Sequence, residues 1–388
     1  MDLDLTGEQQ LLQESVRRTI ERHCPIETVR HLENDPTGYS PALWSALAEL
    51  GVAGLLIGGE HGGAGLSLID AAIVYEEFGR SLAPTPHFVS CVLGAGLLTR
   101  TSSQLAADWL PKLATGEKVM TVAWLEPDGG YGPEGVRLRA EHDTGSRAEH
   151  DAGESRGDRD TGYRLHGVKR HVAFAQAADE MLVLAREDNG IVICAVSPDW
   201  EGVSLRQDTT IAGDAQFTVS FDNVRVDRRR VVAGPDQAWA AWHDTMLDGA
   251  TLLAAQAAGG ARAALDLAVN YAKTRHQFDK PLGAFQAIAH YLADASTAVD
   301  GAETLAWEAA WARTEGRSIA QLAPMAKGYA CRTFRDVTAV AEQIFGGVGF
   351  TLDFDIQLYF RRAKSLQLNW WDDRYLDGLV AEQLLDVG

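Results

Sequence analysis

A chain of 388 residues exceeds a usual single core, and with 46% hydrophobic residues it can bury two or three subdomains without covalent staples. Its formal net charge of -19 leaves no basic face to displace counterions from nucleic acid or to meet an anionic bilayer. No segment holds about eighteen uninterrupted apolar residues, so membrane insertion is not expected.

From Thr6 the chain reads as helix, because Thr6 and Gln9 form a capping box and Leu11, Leu12, Val16 and Ile20 recur at helical spacing up to Cys24-Pro25. A second helix over residues 41–50 carries Leu43, Leu47 and Leu50 and stops at Gly51, a residue suited to the left-handed position after a helix. The glycine-rich stretch 58–65 reads as a loop before a helix over 67–78. Residues 1–118 are therefore predicted to form a helical domain.

Short, β-branched, turn-bounded runs follow at 119–124, 163–165, 181–185, 190–196 and 217–226, which predicts a central β-barrel domain over 119–229. Inside it, residues 141–161 are rich in Gly, Asp, Arg and Ser, repeat Ala-Glu-His-Asp at 140–143 and 148–151, and read as a long disordered hairpin loop. His142 and His150 there read as solvated side chains rather than metal ligands. Arg228-Arg229-Arg230 reads as a solvated turn at the domain boundary.

Residues 230–388 return to helix, with runs over 238–274, 283–314, 318–345 and 354–368. Alanine and small residues such as Gly259 and Gly260 permit close contacts, so an antiparallel four-helix bundle is predicted. The fold class is α+β, mainly α, in the order helices, β-barrel, helical bundle. Cys24, Cys91, Cys194 and Cys331 lie far apart with no paired metal spacing, which suggests free thiols in a reducing compartment. The start of the chain lacks a basic stretch followed by an apolar run, so no export signal is expected and a cytoplasmic setting is predicted.

The chemistry concentrates in two runs of the C-terminal half. Arg275-His-Gln-Phe278-Asp-Lys-Pro281-Leu-Gly-Ala-Phe285-Gln286 joins a guanidinium fork that can grip a pyrophosphate, an aromatic face for a flat ring, and an amide. Gln343-Ile-Phe-Gly346-Gly347-Val-Gly349-Phe350 adds a second amide and glycines that let backbone approach a phosphate or ring. Arg275, Phe278, Gln286, Gln343, Gly346 and Gly347 are the candidate cofactor-binding residues, and a dinucleotide is the ligand that they suit.

On these two runs, with Leu125-Glu126-Pro127 and Gly167-x-Lys169, nearly the whole chain resembles the acyl-CoA dehydrogenase family. The resemblance implies FAD at a subunit interface, its adenosine and pyrophosphate portion held by Arg275, Phe278, Gln343 and Gly347 of a neighbouring chain. It further implies an oligomer, homo- or hetero-, an acyl-CoA or acyl-carrier thioester as substrate, and an acceptor of the electron-transfer flavoprotein type. The flavin ring is expected against the strand ends near residues 124–127 and 171–173.

Such a reaction needs a carboxylate within reach of the thioester's α-proton. In the commoner family arrangement a glutamate followed by glycine comes shortly after a run matched here by Arg361-Arg362-Ala363-Lys364, and this chain has Trp370-Trp371 at that place. The family's alternative position, about twenty-six residues before Arg275, is Gly249, so its neighbour Asp248 is the candidate base, with Asp372 and Asp373 behind it. Leu125, His171 and Ala173 stand where hydroxyl and aromatic residues are common. The resulting expectation is α,β-dehydrogenation of a bulky or branched acyl thioester; the alternatives are a non-catalytic or half-site subunit of a hetero-oligomer, or a related flavin oxidase or monooxygenase.

Overall fold

Thr6 starts the first helix as its capping box predicts, accepting from the Gln9 amide while the Gln9 side chain accepts from the Thr6 N–H. The computed structural model describes residues 4–101, 103–143 and 162–385. The N-terminal helices are α1 (Gly7–His23), α2 (Ile26–His31), α3 (Pro41–Glu49), α4 (Leu68–Ser81), α5 (Ala95–Arg100) and α6 (Leu105–Ala114). Ser67 and Asp70 make a second capping box that starts α4, and Gly51 takes the expected left-handed conformation after α3 at φ 83°. A π-helical turn at Phe88–Gly94 precedes α5, a wide turn of the kind that often marks a functional site.

The central strands are β1 (Met120–Ala123), β2 (Arg139–His142), β3 (Tyr163–Ala173), β4 (Glu180–Glu187), β5 (Gly190–Val196), β6 (Val203–Asp208), β7 (Gln216–Val226) and β8 (Val231–Ala233). They form one sheet in the order β6-β7-β3-β2-β4-β5-β8, with β1 parallel to β4. The predicted barrel is thus an open sheet: among the described residues β6 and β8 remain its edges, and no ladder joins them. Register shifts along β3 bend the sheet over a shared apolar core of Leu165, Val183, Val192 and Phe217 without closing it.

β3 runs eleven residues rather than three because Gly167, at φ 143°, sits at a bulge that the strand continues past. Glu141 and His142, expected in a loop, instead end β2 and pair with Arg164 and Tyr163. Ladder bonds to β3 and the contact of His142 Nε2 with Glu187 Oε2, at 3.2 Å, give this polar stretch the partners that composition alone does not reveal. His150 and residues 144–161 lie outside the described residues.

The bundle contains α7 (Ala238–Thr274), α8 (Gln286–Thr314), α9 (Leu322–Phe345), α10 (Ile356–Leu368) and a helix beyond the four predicted runs, α11 (Asp373–Leu385). The hairpin β9 (His276–Gln277) and β10 (Lys280–Pro281) joins α7 to α8. Small residues bring the helices together as anticipated. A Cβ on Gly259 would stand 2.1 Å from the Glu76 carbonyl oxygen, and one on Gly79 would stand 1.8 Å from that of Gln256, so α4 and α7 touch backbone to backbone. Among the described residues no helix is long and apolar enough to cross a membrane.

Candidate functional site

The six residues expected at the dinucleotide gather at one end of the bundle. Tyr271 in the last turn of α7 stacks on Phe345 at the end of α9, their centroids 4.2 Å apart, so Arg275 and Gln343-x-x-Gly346-Gly347 emerge side by side. Gln286 opens α8 at the same end, because the β9–β10 hairpin returns the chain at once. Phe278 and Asp279 form its two-residue turn with both φ values positive, 50° and 61°, which lifts the Phe278 ring to 85% exposure. A Cβ on Gly346 or Gly347 would meet nothing within 4 Å, so their backbone is open to an incoming group. Arg275 makes no side-chain ion pair among the described residues.

The strand ends predicted to meet the flavin ring are zipped together by a buried ion pair. Lys169 Nζ donates to Glu126 Oε1 at 2.6 Å and to the Trp124 carbonyl at 3.0 Å, with Lys169 fully buried. The same Glu126 oxygen accepts from the backbone N–H groups of Arg137 and Leu138, each at 2.9 Å. Burial pushes the Lys169 ammonium down to about 8, against the pull of Glu126. The Arg170 N–H donates to the Leu125 carbonyl and the Thr121 hydroxyl to the Ala173 carbonyl, so β1 and β3 present one wall.

On that wall lies an aromatic cluster. Trp124 packs on Trp242 at 5.0 Å and on Tyr131 at 5.8 Å, and runs nearly parallel to Trp370 at 6.4 Å with 12° between planes. Phe88, delivered by the π-helical turn, meets Trp370 at 5.1 Å. Trp124, Tyr131, His171, Leu368 and Trp370 line a pocket of about 270 Å³ there. Leu125 and Ala173 offer it no hydroxyl, and burial lowers the proton affinity of the His171 imidazole. Gln216 Oε1, at its wall, is buried without a partner. Phe88, Trp242 and Tyr131 were not singled out from sequence; one ring in a helical run, or in a loop as for Tyr131, carries no mark that distinguishes a site wall from core.

Trp370 and Trp371 have left-handed backbone, φ 54° and 77°, and Trp371 is fully buried. Lys327 Nζ holds this bend by donating to the carbonyls of Trp371 at 2.9 Å and Leu366 at 3.2 Å. The alternative base position meets the same ring: a Cβ on Gly249 would lie 3.1 Å from Phe88 Cζ and 3.3 Å from Leu93 Cδ2.

Asp248 faces elsewhere, since successive helical residues point about 100° apart. Its carboxylate lies between Arg100 and Arg313, with Arg313 Nε 2.7 Å from Oδ1 and Arg100 donating to Oδ2. Asp244, one turn earlier, shares both arginines at 2.7 Å. Burial raises the proton affinity of Asp248, while the two guanidiniums oppose that rise. Along α7 it stands about 40 Å from Arg275. Asp372 accepts from the Tyr375 N–H, and Asp373 accepts from the Gln367 amide at 2.6 Å; both serve the start of α11.

The description "Acyl-CoA dehydrogenase, N-terminal domain" matches residues 6–117, and "Acyl-CoA dehydrogenase, C-terminal domain" matches residues 237–369. Acyl-CoA dehydrogenase IpdE2 of Mycolicibacterium smegmatis is 32% identical over 365 residues, covering 92% of this chain and 93% of the relative. The ChsE4-ChsE5 complex from Mycobacterium tuberculosis superposes with a TM-score of 0.87 at 26% identity, covering 100% of both chains. A Tcur3481-Tcur3483 steroid ACAD variant superposes with a TM-score of 0.83 at 28% identity, covering 97% of this chain and 98% of the other. Two family profiles that together span more than half of the sequence, one over the N-terminal helices and one over the bundle on either side of the sheet, make this chain a member of the acyl-CoA dehydrogenase family, the FAD-dependent oxidoreductases that act on CH–CH bonds.

Proposed function

We propose that the protein works in α,β-dehydrogenation of a bulky or branched acyl thioester as one of two unlike chains in a hetero-oligomer. In this reading its bundle end grips the adenosine and pyrophosphate portion of an FAD whose ring rests on the partner. The observation that carries the proposal is the Phe88–Trp370 contact, which fills the two places where the family's catalytic carboxylate would stand. An indole accepts no proton from a thioester α-carbon.

The two halves of the cofactor fit this chain unequally. Arg275, Gln286, Gln343 and the open backbone of Gly346 and Gly347 suit a diphosphate and its sugars, with Phe278 free to cover a base. The ring side has the Trp124–Trp370 stack and lacks the hydroxyl donors at 125 and 173. When bound, FAD supplies a hydride acceptor for the β-carbon of the substrate, and the electrons then pass to a separate acceptor of the electron-transfer flavoprotein type. This chain's residues supply the grip: a guanidinium fork fixes the diphosphate, and exposed glycines allow the approach. The ChsE4-ChsE5 and Tcur3481-Tcur3483 structures each pair two differently named chains, and the latter's steroid designation supports a bulky acyl group.

A second reading makes the protein a complete dehydrogenase with Asp248 as base, favoured by the raised proton affinity of that carboxylate. Flavin stoichiometry separates the two. The chain should be isolated alone and then, through an affinity tag, from its native host with whatever accompanies it, and FAD counted per polypeptide. We expect a colourless, inactive chain alone and one FAD per pair of unlike chains in the complex. A pure homo-oligomer that carries one FAD per chain and bleaches with an acyl-CoA would overturn the proposal.

A further inference from the structure

Gln216 opens β7 directly across the ladder from Ala173, a ring-wall position without a hydroxyl. Its strand neighbour Phe217 packs in the core of the sheet, so Gln216 points to the opposite face, toward the pocket lined by Trp124 and Trp370. We propose that Gln216 determines what this pocket accepts: its side-chain oxygen takes a hydrogen bond from a hydroxyl on the hydrocarbon body of the ligand, so the site selects hydroxylated over plain acyl groups.

The orientation of the amide follows from its neighbours. Gln216 Nε2 donates to Asp214 Oδ2 at 2.8 Å, and the other Asp214 oxygen accepts from the Thr210 hydroxyl. An ionised carboxylate only accepts, so turning the amide over would set oxygen against oxygen. Asp214 thus holds the nitrogen on its own side and leaves Oε1 to the pocket. That oxygen has no donor among the described residues, in a side chain that is only 4% exposed. Polar groups along the same wall are committed elsewhere: the Asn369 amide donates to Ser365 Oγ, the Arg170 N–H to the Leu125 carbonyl and the Thr121 hydroxyl to the Ala173 carbonyl.

A buried carbonyl without a donor is costly, and a ligand hydroxyl that reaches it removes the cost. A methyl group at the same place leaves it standing, which is how a polar group in an apolar pocket discriminates between otherwise equal ligands. The donor is neutral. Asp214 is already met by Thr210 and Gln216 and lies in the field of Arg362, so no unbalanced negative charge invites a cation. The aromatic walls and the volume of about 270 Å³ suit a ring-sized body, since roughly 150 Å³ holds a benzene ring. The inference deepens the bulky-acyl reading and rests on it for the thioester, whereas recognition by Gln216 can be measured without one.

Fluorine NMR on the protein as purified, in its native assembly, compares 4-fluorophenol with 4-fluorotoluene, two neutral rings that differ by a hydroxyl in place of a methyl. Probes this small turn freely in the pocket, so the place of the hydroxyl on a larger ligand need not be known. We expect saturable binding of the phenol, at least about tenfold tighter than that of the toluene. Gln216→Met keeps the length of the side chain without its strong acceptor and should abolish the preference, with the unfolding midpoint showing that the variant is folded. The comparison in the parent needs no variant and stands if Gln216→Met fails to fold. Equal binding of the two probes, no saturable binding of the phenol, or an unchanged preference in folded Gln216→Met would overturn the proposal and leave water to answer Gln216. Failure of the wider reading appears instead in the flavin count per chain, on which these probes do not depend.

Discussion

The Glu126–Lys169 pair offers the sharpest test of how the ring wall is held. Glu126→Leu leaves the Lys169 ammonium fully buried with only the Trp124 carbonyl to receive it, and it orphans the N–H groups of Arg137 and Leu138. Breaking one side of a buried pair costs about 3–5 kcal/mol, and each orphaned donor adds about 1 kcal/mol or more. Lys169→Met leaves Glu126 with its two backbone donors and should cost less, about 3 kcal/mol. The double variant should recover about 2 kcal/mol relative to the sum, because neither charge is then stranded. Urea unfolding of the four proteins at pH 7 closes the cycle, and near-ultraviolet circular dichroism reports whether the Trp124 cluster loosens. The pH dependence gives an independent check. In the folded chain Lys169 titrates at about 8 instead of its ordinary 10.5. Between those values the unfolded chain binds the extra proton, so stability should rise with pH from about 8 to 10.5 in the parent. That component should vanish in Lys169→Met. A coupling below about 0.5 kcal/mol, or an unchanged pH slope in Lys169→Met, would refute the reasoning.

Three further outcomes are expected. His87, buried with Nε2 against the Val52 carbonyl and Nδ1 against the Tyr75 hydroxyl, is pushed down to about 4 by burial; stability should therefore fall as pH drops from 6.5 to about 4, where only the unfolded chain takes the proton, and His87→Phe should flatten that slope by about one proton. Asp248→Asn in the native assembly should leave turnover within a few-fold while lowering the unfolding midpoint, because it strips a shared carboxylate from Arg100 and Arg313; a loss of about a hundredfold or more in turnover with the midpoint unchanged would instead establish it as the base. Arg275→Ala should weaken FAD retention about tenfold or more, read by equilibrium dialysis of the assembly against free flavin, since a charge-assisted contact is lost.

The fold was legible wherever one residue enforces one local geometry. Thr6 with Gln9, and Gly51 after α3, act through single hydrogen bonds or a single φ, so their effect reads from the chain directly. Strands are harder because their partners lie far away. Arg139–His142 and Val203–Asp208 are polar at alternate positions and become strands through the ladders of β3 and β7. The same distance effect hid the open form of the sheet, which depends on edges that no local pattern marks. At the site, the clustered charge, ring and glycines of 275–286 and 343–347 stood out because so many unusual residues fall together.

Trp371 occupies a bend whose backbone suits another residue. The family resemblance places a glycine there, and at φ 77° glycine is the residue that adopts the bend without strain. A tryptophan at such a φ costs on the order of 1–3 kcal/mol, and Trp370 before it pays a similar penalty. Both are retained because the surroundings over-determine the bend: Trp371 is fully buried, packs on His243 and Tyr375, and offers its carbonyl to Lys327. Burying an indole of this size yields about 2–3 kcal/mol, which opposes the strain, although its Nε1–H is left buried without a partner. At this bend Trp370 closes against Phe88 while Trp371 packs inward on His243 and Tyr375, and neither indole can accept a proton. The packing of Phe88, Trp124 and Trp370 is in keeping with the proposed division of labour, in which this chain grips the dinucleotide and a partner supplies the base.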